Sequence, residues 1–132
     1  MEEKQQLVFR LPIRVYYEDT DAGGVVYHSI YLNFMERART EWMLNRGINL
    51  NDYAAQEQKM FVVKSIQVDY KKPAHLCDDL IVETSVAKLT ATRVCFQQLI
   101  YRNEELLVSG LVELVCLNTE TRRPIPLPSL FS

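Results

Sequence analysis

The stretch Tyr17-Glu-Asp-Thr-Asp-Ala-Gly-Gly-Val-Val-Tyr-His-Ser-Ile-Tyr31 carries a strand-like segment through an acidic, glycine-bearing turn into a helix, and the rest of the chain is organised around it. It holds three carboxylates (Glu18, Asp19 and Asp21), one of the two histidines (His28), and the adjacent glycines Gly23 and Gly24.

Upstream, Phe9, Leu11, Ile13, Val15 and Tyr17 alternate with Arg10, Pro12, Arg14 and Tyr16, the period of a half-buried strand, which puts Tyr17 on the core side. Pro12 has no amide to donate, so this strand lies at a sheet edge or leaves a gap in one ladder. Residues 1–6 are polar and are expected to fray. Downstream, His28 to Arg46 reads as a helix whose Ile30, Phe34, Ala38 and Trp42 recur at i+4 beside Tyr31 and Met35. Its opposite face carries Glu36, Arg37, Arg39, Glu41 and Arg46, and Gly47 is placed to end it. Tyr27 and Tyr31 read as core aromatics.

Residues 48–59 are a polar connection with a short helical turn near Leu50 to Glu57. Four strand-like segments follow, Met60 to Tyr70, Asp79 to Lys88, Thr92 to Arg102 and Glu105 to Leu117, separated by short polar breaks of antiparallel length. The tail Arg122-Arg-Pro-Ile-Pro-Leu-Pro128 holds three of the five prolines and reads as extended. One strand, one long helix and four further strands make a single α+β domain over residues 1–132, a five-stranded antiparallel sheet wrapped around one helix. A single helix covers only part of such a sheet, so the remaining apolar positions argue for self-association, as an isologous dimer.

The 132 residues carry a formal net charge of -2 with acids and bases interspersed, which excludes the electrostatic footprint of a nucleic-acid binder. Cys77, Cys95 and Cys116 are odd in number and lack zinc or redox spacing, which fits reduced thiols in a cytoplasmic protein. No apolar run is long enough to span a bilayer, and the first residues lack a signal-peptide pattern.

A helix starting near His28 or Ser29 leaves its first amides unpaired at the positive end of the macrodipole. Gly23 and Gly24 allow a ligand close to the backbone. A carboxylate such as Asp21 beside such amides suits hydrolysis of an activated acyl compound, one group attacking or activating water and the other stabilising the oxyanion. Thioesters fit so sparse a site, with no metal or cofactor required. Asp19, Thr20 and Asp21 also read as ordinary turn and N-cap residues, and His28 as a polar helix start. Asp19, Asp21 and His28 as a metal site lack a fourth ligand.

Tyr16 to His28, continuing through Tyr31 and Glu36-Arg-Ala-Arg-Thr40, resembles the signature of YbgC-type acyl-CoA thioesterases in the 4-hydroxybenzoyl-CoA thioesterase branch of the hotdog fold. Echoes continue through Phe61-Val-Val63, Tyr70 with Pro73-Ala74, and Asp78-Asp-Leu80. The resemblance implies a hotdog domain forming a homodimer or homotetramer, with acyl-CoA as substrate. It makes Asp21 the catalytic nucleophile or general base and the His28 backbone amide the donor to the thioester carbonyl. It also places Tyr17 and the His28 side chain in the active site. Where many relatives have glycine, this chain has Cys77. Lys71, Lys72, Arg122 and Arg123 could meet CoA phosphates, or be ordinary solvated charges. The resemblance also allows a role in binding acyl carrier protein in phospholipid metabolism, linked to the Tol-Pal envelope system. It disfavours a hotdog dehydratase, whose histidine-plus-proline-glycine segment is missing.

Overall fold

The computed structural model describes residues 8–131, so the fraying expected over residues 1–6 lies outside the described residues. Strand β1 (Phe9–Arg14) leads through a 3-10 turn (Tyr17–Asp19) to the long helix α1 (His28–Asn45). The short helix α2 (Leu50–Gln56) follows, and then β2 (Lys59–Tyr70), β3 (Asp79–Leu89), β4 (Arg93–Arg102) and β5 (Glu105–Asn118). All five strands form one antiparallel sheet in the order β1-β3-β4-β5-β2. Pro12 lies in an edge strand as its missing amide requires, opposite Ile81 on the one side that is paired. A long helix laid across a five-stranded antiparallel sheet is the hotdog fold.

The core forms between α1 and the inner face of the sheet. Tyr31, Phe34, Met35, Ala38, Trp42 and Met43 are buried on the helix, against Val94, Phe96, Ile100, Val108 and Val112 on β4 and β5. Gly110 allows this close approach, since a Cβ there would stand 3.0 Å from Met35 Cε. The helix ends as its glycine dictates. Gly47 has φ +85°, and the Ile48 and Gly47 amides reach back to Met43 O at 2.8 Å and Leu44 O at 3.0 Å, the paired bonds of a Schellman stop.

Arg39 departs from the polar face on which the pattern sets it. It is only 6% exposed, and its Nη1 donates to Gln98 Oε1 at 3.0 Å. Gln98 Nε2 donates in turn to Met35 O and Thr84 Oγ1, both at 2.9 Å. Position 39 lies one step around the helix from Ala38 and four residues from Met35, so a broad sheet covers it as well. Burial lowers the Arg39 guanidinium from its usual range, yet an arginine stays charged. The buried glutamine therefore serves as its polar partner.

The tail is largely extended and lies along the sheet, with Ile125 N bonded to Cys116 O and Leu127 N to Ala91 O, both at 2.9 Å. Its last turn (Ser129–Phe131) buries Phe131 against Trp42 and Phe61, closing the end of the core away from the start of α1. No described helix is long and apolar enough to cross a membrane.

Candidate active site

Residues 20–26 fold back as a small hairpin. Thr20 bridges Val26, the Asp21 amide donates to Val25 O at 2.9 Å, and the Gly24 amide closes the turn onto Asp21 O at 3.1 Å. Gly24 sits at φ +83°, where a side chain would be strained. Asp21 Oδ1 accepts from the amides of Gly23 at 2.8 Å and Val25 at 3.3 Å. Oδ2 has no hydrogen-bond partner among the described residues. The carboxylate is thus oriented by its own turn while remaining exposed.

The hairpin brings Asp21 opposite Val25, three residues before the helix begins. Asp21 is a turn residue but not a helix cap: the N-cap is Tyr27, which makes no side-chain cap bond. Ile30 N is satisfied by Tyr27 O at 2.9 Å, whereas the amides of His28 and Ser29 find no acceptor among the described residues. An exposed carboxylate with a fixed orientation and a pair of open amides at a positive helix end therefore lie on one continuous turn.

The segment between β2 and β3 supports this turn. Val26 N donates to Ala74 O at 2.9 Å, Leu76 N donates to Gly24 O at 3.1 Å, and Val25 bridges His75. Tyr31, buried in the first turns of α1, accepts the Ala74 amide on its hydroxyl at 2.9 Å. Burial pushes that phenol above its usual range, with the Ala74 amide opposing the shift, so it stays neutral as an acceptor. The His28 ring packs against Tyr70, with centroids 4.7 Å apart, and Tyr70 OH donates to His28 O at 3.3 Å. Val26, His28, Tyr31, Tyr70, Lys71, Lys72 and Pro73 line a cleft of about 200 Å³ beside the helix start. Tyr70 has no role in the residue pattern read alone. Its signals were its place at the end of a strand, before the Lys-Lys-Pro break, and the echo of the family signature in Tyr70 with Pro73-Ala74.

Two sequence readings need correction. Tyr17 does not lie on an inner strand face: it is 81% exposed, because β1 stops at Arg14 and the 3-10 turn over Tyr17–Asp19 breaks the alternation. Tyr27 is 60% exposed and is no core aromatic, in contrast to Tyr31. The four basic candidates also separate. Lys71 and Lys72 border the cleft, paired with Asp69 at 2.8 Å and Glu105 at 2.9 Å. Arg122 and Arg123 sit at the turn after Asn118, which pairs with Lys59 at the opposite end of β2, ~35 Å of strand away from Tyr70. Cys77 takes φ +71° and donates its amide to Val15 O at 3.0 Å. Among the described residues, no three His, Cys, Asp or Glu side chains gather into a metal-binding cluster.

The sequence profile of the thioesterase-like superfamily matches residues 15–132, which include every element from the acidic turn onward. The chain belongs to this superfamily. Among its relatives, an acyl-CoA thioesterase YbgC from Haemophilus influenzae is 42% identical over 120 residues, covering 91% of this chain and 88% of the relative. The solved structure of a probable thioesterase from Bartonella henselae matches with a TM-score of 0.87 at 34% identity, covering 92% of this chain and 99% of that one. A 1,4-dihydroxy-2-naphthoyl-CoA thioesterase from Synechocystis matches with a TM-score of 0.88 at 27% identity, covering 94% and 92%. Both solved structures share the layers described above.

Proposed function

We propose that the protein hydrolyses an acyl-CoA thioester to the free acid and CoA, with Asp21 as the catalytic carboxylate. The observation that carries this reading is the Asp21 carboxylate itself. Its Oδ1 is held by two turn amides and its Oδ2 has no partner among the described residues, on the same hairpin that leads into the His28 and Ser29 amides, which likewise find no acceptor among them. Similarity to relatives named as acyl-CoA thioesterases supports the substrate class.

In this reading the thioester carbonyl oxygen accepts from the His28 amide, which stabilises the negative charge as the carbonyl carbon becomes tetrahedral. Asp21 either attacks that carbon or takes a proton from the water that does. The C–S bond breaks and CoA leaves as the thiolate, taking up a proton that water supplies; where Asp21 attacks, water then opens the acyl–aspartyl anhydride that forms, and in both routes the acyl group departs as the carboxylic acid. The His28 imidazole packs on Tyr70 and shapes the cleft, and its backbone amide carries the chemistry. In this reading the protein also forms a homodimer, and Tyr17, exposed in the single chain, is open to a second copy. The exposed apolar side chains of the edge strand β2, Val63, Ile66 and Tyr70, supply the surface for that homodimer.

Asp21→Asn tests the reading. Asparagine keeps an oxygen for the Gly23 and Val25 amides and loses basicity and nucleophilicity, so turnover should fall by about 10²–10⁴-fold with the fold intact. Wild-type hydrolysis by this variant across short, long and aromatic acyl-CoAs would refute it.

A further inference from the structure

Arg102 closes β4 and Glu105 opens β5, and both side chains turn toward the segment over residues 71–78. Arg102 Nη1 donates to Asp78 Oδ2 at 2.7 Å and to Pro73 O at 3.3 Å, and stands 3.4 Å from His75 Nδ1. Its Nη2 donates to Glu105 Oε1 at 2.9 Å, while Glu105 Oε2 pairs with Lys72 at 2.9 Å. Asp78 Oδ2 accepts the His75 amide as well, at 2.8 Å. Burial alone would raise the Asp78 carboxyl, but the bonds from Arg102 and His75 outweigh it and hold the group below its ordinary value.

One guanidinium thus fixes the segment at two points, Pro73 and Asp78. Between them lie Ala74, His75 and Leu76, the three residues on which the Asp21 hairpin is docked. Those bonds from Val26, and to Gly24, are what set the hairpin against the start of α1. The planar fork of arginine is needed to reach Asp78 and Glu105 with separate nitrogens, which an ammonium on a single stem cannot match. Arg102 and Asp78 are each about a fifth exposed, with side-chain values of 23% and 22%, so solvent screens the pair only in part.

We propose that Arg102, acting with Asp78, is a positioning residue that holds the segment over residues 73–78 as the seat of the Asp21 hairpin. The proposal rests on Asp21 being the catalytic carboxylate. Arg102 touches no reacting atom; its effect passes through Ala74 and Leu76 to the geometry between Asp21 and the His28 amide.

The test compares acyl-CoA turnover by Arg102→Gln, Arg102→Lys, Asp21→Asn and the Asp21→Asn/Arg102→Gln double variant, with folding followed by circular dichroism. Arg102→Gln should lower kcat by about 10- to 100-fold, as a misplacement of about 1 Å does, with KM within about threefold. Its melting temperature should fall by no more than about 10 °C. Arg102→Lys should recover part of the lost kcat, because it keeps the charge and one of the contacts. In the Asp21→Asn background the glutamine substitution should change the residual rate by less than about twofold, since no carboxylate is left to position. An equal loss in both backgrounds overturns the proposal, as does wild-type kcat in Arg102→Gln. Full turnover by Asp21→Asn alone overturns the catalytic reading instead, so the two failures are read from different variants.

Discussion

His28→Pro separates the amide of the first helical residue from everything else at that position. Proline removes one backbone N–H, and the His28 N–H has no acceptor among the described residues. The fixed φ of proline suits the first position of a helix. The preceding residue must then be extended, and Tyr27 already stands at φ -71°, ψ 143°. The carbonyl that receives Tyr70 OH is retained. The fold should therefore tolerate the change, with a stability gain of up to about 1 kcal/mol from the stiffer unfolded chain. For a chain of this length that corresponds to about 4 °C in melting temperature. Losing a single oxyanion donor costs about 10²–10³-fold in kcat, or about 2.7–4 kcal/mol. His28→Ala is the control, since it loses the same imidazole and the same packing on Tyr70 but keeps the amide. Release of free CoA thiol, measured at saturating acyl-CoA, should show His28→Ala within about tenfold of wild type and His28→Pro at least about 100-fold slower. A folded His28→Pro variant with the same kcat as His28→Ala would remove the amide from the mechanism.

Tyr31→Phe leaves the buried Ala74 amide without its acceptor, at a cost of about 1–3 kcal/mol, so thermal denaturation should show a melting temperature lower by about 4–11 °C. An unchanged midpoint would mean that another acceptor replaces the phenol. Cys77→Gly should act in the opposite direction. It relieves a left-handed conformation costing about 1–2 kcal/mol and loses about 0.5–1 kcal/mol to glycine's extra freedom in the unfolded chain, so the midpoint should rise by about 2–4 °C. A lower midpoint for Cys77→Gly would show that the thiol contributes contacts beyond its strain.

The elements were legible because their signals are local. The i+4 row from Ile30 to Trp42 marked α1, Gly47 marked its end, and Pro12 marked an edge strand. Arg39 was not legible, since a charged residue at a helix flank reads as solvated until a glutamine is known to face it from β4. That partner lies 59 residues away in sequence, and no periodicity reports such a distance. Phe131 is a similar case. Its tail reads only as extended, and its burial depends on the gap left between Trp42 and Phe61.

The site shows the same division more sharply. Asp21, the glycines and the open helix start could be read together because they are adjacent in sequence, and the hairpin needs only local bonds to assemble them. The inner-face reading of Tyr17 failed on equally local grounds: alternation was carried two residues past Val15, beyond the point where the chain turns into the 3-10 segment. What orients the hairpin is remote. The segment over residues 73–78 comes about fifty residues later, and in the pattern alone its Pro-Ala-His is no more than a polar break between two strands. Its backbone groups, rather than its side chains, bond to Val26 and Gly24, so residue types leave almost no trace of the contact. The carboxylate and the helix-start amides proposed to act together are therefore written in one stretch, whereas the precision of their alignment depends on partners that only the folded chain brings within reach.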